Sequence, residues 1–513
     1  MHASIRFPAP DTSMLIAPLR SPLCYPHPVE RIEMLETHIS WVFLAGAYAY
    51  KVKKPVKLDF LDFSSLELRH RYCDEELRLN RRTAPALYVD VVPITGTPTA
   101  PLVGGEGTAI EYAVRMRRFA QSDRLDEVAR RGQLSAAHID ALAACVADFH
   151  AHAARCGAAV PPGRELALAL DNLRALERLD AGGFPRATLA ALRDWTECEH
   201  RAIAGALAQR RAAGFVRECH GDLHLGNIVM QGCVPVPFDC IEFNEELRCI
   251  DVLSDVAFVS MDLRRHGLPG LAARFVDAYL ARTGDYEGLA VLRFFGVYRA
   301  LVRAKIAAIR ASQAGMAPQA RERELEEVVA HVRLATLLAA RPQPALTIMH
   351  GLSGSGKTRV SQRLLEAQDA VRLRSDVERK RLHGLDAAAR GAAPPGEGRY
   401  TPLQRGRVYV RLEALAGAVL AAGYPVIVDA AFLARANRDR FRALARAAGA
   451  AFLIVCCAAP EAVLRDRVAA REAAGADASD AGVAVLESQL AAQEPLAGEE
   501  LEFRNLIDAS QEV

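Results

Sequence analysis

From Ile39 onward the chain runs in short blocks of apolar residues with a changing period. "ISWVFLAG" (39–46) and "AYAYKVKKPV" (47–56) are rich in β-branched and aromatic residues and meet at Gly46, which predicts two strands joined by a hairpin turn. "SSLELRHRYCDEELRLNRR" places Leu66, Tyr72, Leu77 and Leu79 at roughly helical spacing. "LYVDVVPI" and "AIEYAVRMRRF" return to strand character, so a small sheet carrying one helix is expected over residues 30–118. After Phe119 the period is helical, in "SAAHIDALAACVADFHAHAARC" and "LALALDNLRALERL". "NIVM" and "VPVPFD" predict a strand pair turning at "QGC", and helices follow to Leu338. The first thirty residues are Pro-rich and predict irregular chain.

"AARPQPA" (339–345) reads as a linker, because two prolines break a helical stretch. Beyond it, "LTIMH", "AVRLRSD", "PVIVDAAF" and "AFLIVCC" are strand-length apolar runs separated by helical segments. That alternation predicts a parallel sheet covered on both faces over residues 346–513.

Composition narrows the partners. A net charge of +2 with 25% charged residues disfavours nucleic acid and anionic membranes as default partners. No stretch has the length and apolarity of a membrane span or the form of a secretion signal, so the cytoplasm is expected. Eleven cysteines, with no C-x-x-C pair, predict free thiols rather than a disulfide framework.

The densest chemistry is "HGDLHLGN" (220–227). Three readings compete. A metal site would use His220, Asp222 and His224, but these lie in a Gly-broken loop without helical ligand spacing. A polar turn is the second. The third is a phosphoryl-transfer loop: H-x-D followed five residues later by Asn has the spacing of kinase catalytic loops. Asp222 would orient or deprotonate an acceptor hydroxyl. Asn227, and Asp239 at the end of the next strand, would supply oxygen ligands to Mg²⁺.

"HGDLHLGN" together with "FDCIEF" resembles the aminoglycoside phosphotransferase/choline kinase group. The resemblance covers about the first 335 residues and implies a protein-kinase-like bilobal α+β domain, with an N-lobe near 30–118 and a C-lobe near 119–338. It implies that Lys51 grips the ATP phosphates, that Glu76 is its helix partner, and that Asp255 braces the catalytic loop. Lys53 competes with Lys51 on the same strand face, one of the two being an ordinary surface lysine; Glu75 competes with Glu76, and Asp251 with Asp255. Within residues 1–338, no G-x-G-x-x-G precedes Lys51 and neither D-F-G nor A-P-E occurs, which argues for a small-molecule hydroxyl acceptor over a protein. Glu242, Glu245 and Glu246 read as a solvated acidic face, with a cationic acceptor as the alternative.

"GLSGSGKT" (351–358) matches G-x-x-x-x-G-K-[ST] between a strand and a helix. Gly351, Gly354 and Gly356 let backbone N–H groups curl round phosphate; Lys357 reaches the β/γ-phosphates and Thr358 offers a hydroxyl to Mg²⁺. Asp429 ends an apolar strand as a second metal ligand, and Arg467 and Arg471 lie at i, i+4 before a Gly/Ala/Asp-rich stretch suited to a lid. This half resembles the P-loop kinases grouped with gluconate kinase, polynucleotide 5′-kinase and zeta-toxin-like enzymes. That resemblance implies Asp376 as the catalytic base and Arg379 as an acceptor ligand; a helix N-cap is the competing role for Asp376.

The expectation is therefore a protein-kinase-like domain (1–338), a linker (339–345) and an α/β P-loop domain (346–513), together acting as a phosphotransferase that uses ATP and Mg²⁺ on small-molecule hydroxyl groups. Its rivals are a nucleotide-sensing regulator with one silent domain, and a nucleic-acid or nucleotide-sugar kinase working through the P-loop half.

Overall fold

The computed structural model describes residues 14–37, 39–58, 61–156, 161–179, 186–313, 315–385, 401–474 and 482–508. The chain forms two compact units. The first comprises residues 1–197, 207–262 and 298–332; the second comprises residues 198–206, 263–297 and 333–513.

In the first unit, strands β1 (Ile32–Glu36), β2 (Ser40–Ala45), β3 (Tyr48–Lys53), β4 (Tyr88–Thr97), β5 (Ala100–Val103) and β6 (Glu111–Arg117) make an antiparallel sheet ordered β1-β2-β3-β6-β4-β5. Gly46, at φ +58°, makes the turn between β2 and β3. Helix α1 (Leu66–Asn80) is capped by the Ser65 side chain, which accepts from the Leu68 N–H.

The two-residue period of β3 sorts its side chains. Tyr50 and Val52 join a core on one face with Trp41, Phe43 and Leu19. Ala49 joins the core under α1 with Cys73, Leu77 and Tyr88, so Lys51 and Lys53 share that face. The extra strand β1 was not expected from the Pro-rich start. Its burial pattern is mostly exposed, and pairing with β2 is what makes it a strand.

The rest of this unit is helical, with α2 (Ala136–His152) and α3 (Val252–Arg265) flanking two short antiparallel ladders. One pairs β7 (Val216–Glu218) with β10 (Cys249–Asp251); the other is the hairpin β8 (Ile228–Gln231)–β9 (Val234–Pro237). The expectation that every cysteine is free fails at one pair. Cys156 and Cys249 are 93 residues apart, yet their sulfurs lie 2.21 Å apart in a disulfide. Cys156 N–H bonds to Val216 O, and Val216 pairs with Asp251 in β10, so the ladder brings the two cysteines together.

The second unit holds helix α4 (Pro269–Thr283), the first part of α5 (Leu289–Ala311) and a five-stranded parallel sheet. The sheet contains β11 (Ala345–His350), β12 (Val371–Arg374), β13 (Val426–Asp429), β14 (Ala451–Ala458) and β15 (Arg504–Asp508), in the order β12-β13-β11-β14-β15. Met349, Ile427 and Val455 from three strands pack with Val360 and Leu365 of α6 (Lys357–Gln368) and with Ala273 of α4.

Helix α4 also covers the β12 edge. Asp277, 4% exposed, accepts the backbone N–H of Arg372 at 3.0 Å and its guanidinium at 3.1 Å. Both groups are buried, so the contact is little screened by solvent. Asp277→Asn keeps an acceptor but removes the charge, and it should cost the second unit about 1.5–3 kcal/mol. Denaturant unfolding checks this; an unchanged midpoint would show that the sheet edge does not depend on the ion pair.

Candidate active sites

Four buried charged side chains meet between β3, α1 and the segment after β9. Lys51 Nζ donates to Glu76 at 2.8 Å and to Asp239 at 2.5 Å. Lys53 Nζ donates to the other Glu76 oxygen at 2.7 Å and to Glu242. Lys53 and Glu76 are fully buried, and Glu242 is 3% exposed. Burial alone would lower the Lys51 ammonium, but Asp239 and Glu76 outweigh it and hold its pKa well above the ordinary lysine value. Burial pushes the Glu76 carboxyl up, and the two lysines more than offset this, bringing it to about 2.

Neither lysine is an ordinary surface residue, contrary to expectation; the strand face that holds Lys51 also carries Lys53 under α1. Glu242 is likewise no part of a solvated acidic face, because Lys53 draws it inside. Glu75 turns away from the quartet to Arg78 and Arg248.

The loop 220–227 is shaped by its neighbours. Gly221 lies at φ +85°, and a Cβ there would come within 2.8 Å of Leu247 O, so only glycine fits. Asp255 accepts the N–H groups of His220 at 2.8 Å and Gly221 at 3.0 Å, while Arg299 donates to Gly221 O at 2.8 Å. Asp251 pairs instead with Arg210. Of the two competing aspartates, Asp255 is the one that braces the loop.

The imidazoles are engaged elsewhere than in a metal cage. His220 bonds Phe238 O at 2.9 Å, and His224 Nδ1 accepts the Gly226 N–H at 3.0 Å. His150, Cys219 and Asp255 form a second close group, but both Asp255 oxygens already hold the loop.

Asn227 Nδ2 donates to Asp222 O and Asp222 Oδ2, both at 3.0 Å, which leaves its own side-chain oxygen without a hydrogen bond among the described residues. Phe238 N–H closes the hairpin onto Asn227 O at 2.9 Å, so Asp239 emerges beside Asn227. Asp239 sits at φ +63°, a conformation disfavoured for a side chain with Cβ, and its N–H donates to the Tyr88 hydroxyl at 3.1 Å. Burial pushes the Asp222 carboxyl up, yet His224, Arg303 and His220 together hold it well below the usual carboxylate range. The Asp222 carboxylate thus lies beside the Asn227 side-chain oxygen and the Asp239 carboxylate that Lys51 holds, an oxygen set that suits Mg²⁺.

In the second unit, Gly351, Gly354 and Gly356 all have positive φ. A Cβ on Gly351 would meet Cys457 O at 2.4 Å, and one on Gly354 would meet Leu464 O at 2.9 Å. Ser355 Oγ is buried with no partner among the described residues, and Lys357 Nζ folds back on Leu352 O at 2.7 Å. An unpaired hydroxyl, a loop wound round its own lysine and the start of α6 form a concave donor set that fits phosphate. Asp429, 6% exposed at the end of β13, accepts from Ser361 Oγ at 3.2 Å. Ser361 Oγ also donates to the backbone carbonyl of Thr358 at 3.0 Å, one turn earlier on α6.

Asp376 pairs with Arg379 at 2.7 Å within helix α7 (Ser375–Leu382). The helix N-cap is Arg374, so capping does not explain Asp376. Arg467 and Arg471 lie on helix α8 (Glu461–Ala474); the side chain of Arg471, and residues 475–481 after it, lie outside the described residues.

Sequence reasoning named neither Tyr88 nor Arg299, and it weighed Lys53, Glu242 and His224 only in other roles. The strand period of "KVK" and the position of Glu242 three residues after Asp239 were the available signals; Tyr88 and Arg299 had none.

Residues 65–295 match the Phosphotransferase enzyme family, and residues 346–496 match an AAA domain. The uncharacterized proteins Rv2004c of Mycobacterium tuberculosis and Mb2027c of Mycobacterium bovis are each 30% identical over 473 residues, covering 90% of this chain and 91% of their own. Among solved structures, amicoumacin kinase hAmiN in complex with AMP-PNP, Ca²⁺ and Ami is 13% identical, with 64% of this chain and 93% of that chain covered and a TM-score of 0.40. A gluconokinase from Sinorhizobium meliloti 1021 is 23% identical, with 33% and 86% covered and a TM-score of 0.25. The chain belongs to the same family as these mycobacterial proteins, and within it is a phosphotransferase whose protein-kinase-like domain precedes a P-loop domain.

Proposed function

We propose that both units use Mg-ATP and that the first phosphorylates a small-molecule hydroxyl, in the cytoplasm. The observation that carries this reading is the hydrogen-bond frame at one hairpin end. Asn227 holds Asp222 through two bonds and Phe238 through a third, so a proton acceptor and two metal-ligand side chains share one corner. Bound Mg-ATP supplies the transferable phosphoryl group and neutralises its charge. Asn227 and Asp239 hold the metal, Lys51 moves from Asp239 to the phosphates, and Glu76 keeps it aligned. Asp222 receives the proton of the acceptor hydroxyl, and its depressed pKa keeps it ionised for that purpose. In the second unit, Lys357 and the Gly351–Gly356 loop hold phosphates, Thr358 and Asp429 hold metal, and Asp376 and Arg379 address an acceptor. Arg467, with Arg471, is proposed to close over the phosphates. The absence of a strongly basic charge balance supports small molecules over nucleic acid as acceptors.

The direct test is transfer of label from ATP, scored across a metabolite library as a mass gain of one phosphoryl group. Binding without any transfer would favour a nucleotide-sensing regulator. Lys357→Ala should remove one of two nucleotide sites in the full chain, so that ATP titration shows half the bound stoichiometry. Unchanged stoichiometry would withdraw the phosphate role of this loop.

A further inference from the structure

Helix α5 carries a stripe of arginines past the catalytic loop. Arg299, Arg303 and Arg310 are spaced i, i+4 and i+11, so they project from one face. The first is anchored: Arg299, 3% exposed, donates to Gly221 O at 2.8 Å and to Ser254 Oγ at 3.1 Å. Arg303 comes four residues later, about 6 Å along the axis, and is one of the cations acting on the Asp222 carboxylate. Arg310 responds to Asp222, Arg303 and Arg124, so these four groups share a neighbourhood. On its other side, the Arg124 guanidinium packs over the loop itself, 3.1 Å from where a Gly226 Cβ would stand.

The nearby acids are already matched. Asp126 holds Arg124 at 2.5 Å, and Glu324 faces Arg310 at 3.9 Å. Glu327 faces His331 at 3.4 Å, and Asp262 accepts the Leu225 N–H at 2.8 Å. His224, whose Nδ1 is taken by Gly226, points Nε2 at Asp222, 3.6 Å away. Arg303 is the exception: it makes no ion pair or hydrogen bond among the described residues, and its Nε is buried without a partner. A half-buried guanidinium with a desolvated, unmatched donor is costly unless something completes it.

Resting on the assignment of Asp222 as proton acceptor, we propose that Arg303 is an acceptor-binding residue and that the acceptor of the first unit is an anionic polyol. Its hydroxyl faces Asp222, and its carboxylate or phosphate lies about one helical turn away on the Arg303 guanidinium, with Arg310 and Arg124 adding positive potential. A cationic acceptor would meet three arginines across the same space and be repelled.

The test uses the full chain carrying Lys357→Ala, saturated with Mg-AMP-PNP, and titrated by calorimetry with gluconate and with glycerol 3-phosphate. Ethanolamine and kanamycin serve as cationic probes. Saturable binding of at least one anion, weakened about 10–100-fold by Arg303→Met, is the expected result. Arg303→Lys should restore part of it, since the charge returns without the fork. The gluconate and glycerol 3-phosphate arms separate carboxylate from phosphate recognition.

Kinetically, for an acceptor found by the library screen, Arg303→Met should raise the acceptor KM and leave the ATP KM unchanged; a merely structural role would move both. The proposal is overturned by tighter binding of the amines than the anions, by no anion binding at tens of millimolar, by equal anion binding in Arg303→Met, or by a rise in ATP KM alone. Transfer to an amine that needs Asp222 but ignores Arg303 would refute this inference and leave the phosphotransfer reading intact. Arg303-dependent anion binding without Asp222-dependent transfer would do the reverse.

Discussion

Asp222→Asn, made in a Lys357→Ala chain, should leave Mg-ATP affinity essentially unchanged and lower phosphoryl transfer by on the order of 10²–10⁴-fold. The amide is isosteric, and its oxygen still accepts from Asn227, now at 3.0 Å. The frame that presents Asn227 and Asp239 therefore survives. What disappears is a carboxylate that His224 and Arg303 keep ionised against burial. Asp239→Asn should fail differently. That change removes a charge from the metal side and the partner of Lys51 at 2.5 Å, so Mg-ATP affinity should fall together with turnover. Equilibrium binding and single-turnover transfer, measured on both variants, separate the two roles. Equal loss of Mg-ATP binding in both would make Asp222 a metal ligand or a brace and withdraw its role as base.

Lys53→Met should destabilise the first unit by about 3–5 kcal/mol. Glu242 would be left buried without its partner, and Glu76 would depend on Lys51 alone. The companion double variant Lys53→Met/Glu242→Met should recover most of that loss, because it removes both charges of a desolvated pair and leaves Lys51–Glu76 matched. Denaturant unfolding of the three chains gives the comparison. A single variant within about 1 kcal/mol of wild type would mean that Lys53 is solvated in solution.

The pH dependence has a definite sign. Burial already raises the Glu242 carboxyl above its ordinary value, and losing Lys53 raises it further. A carboxyl with a raised folded pKa contributes most below its unfolded value of 4.5 and loses that contribution as pH rises through the folded value. The deficit of Lys53→Met should therefore be small near pH 4.5 and grow toward neutrality. A deficit independent of pH would point to lost packing.

Much of the molecule is legible in local sequence, for physical reasons that differ by element. The P-loop reads directly because it is defined by backbone geometry: three glycines sit at positive φ, and at Gly351 and Gly354 the carbonyls of Cys457 and Leu464 leave no room for a Cβ. The loop 220–227 reads almost as well, since Asp222 and Asn227 contact each other across five residues and spacing is enough to encode that contact. The parallel core strands announce themselves by apolar runs, because both faces are covered.

Tertiary structure alone decided what depends on partners distant in sequence. The peripheral strands β1 and β15 are too polar to stand out, and backbone pairing with β2 and β14 is what makes them strands. The choice between Glu75 and Glu76 depended on which side of α1 faces β3, and the choice between Asp251 and Asp255 on which N–H groups the loop left unsatisfied. Lys53 and Glu242 look like surface charges by composition; 189 positions apart, they become interior only by neutralising each other. Local sequence determines backbone conformation and short-range contacts, whereas a charge is worth burying only where the fold delivers its counter-charge.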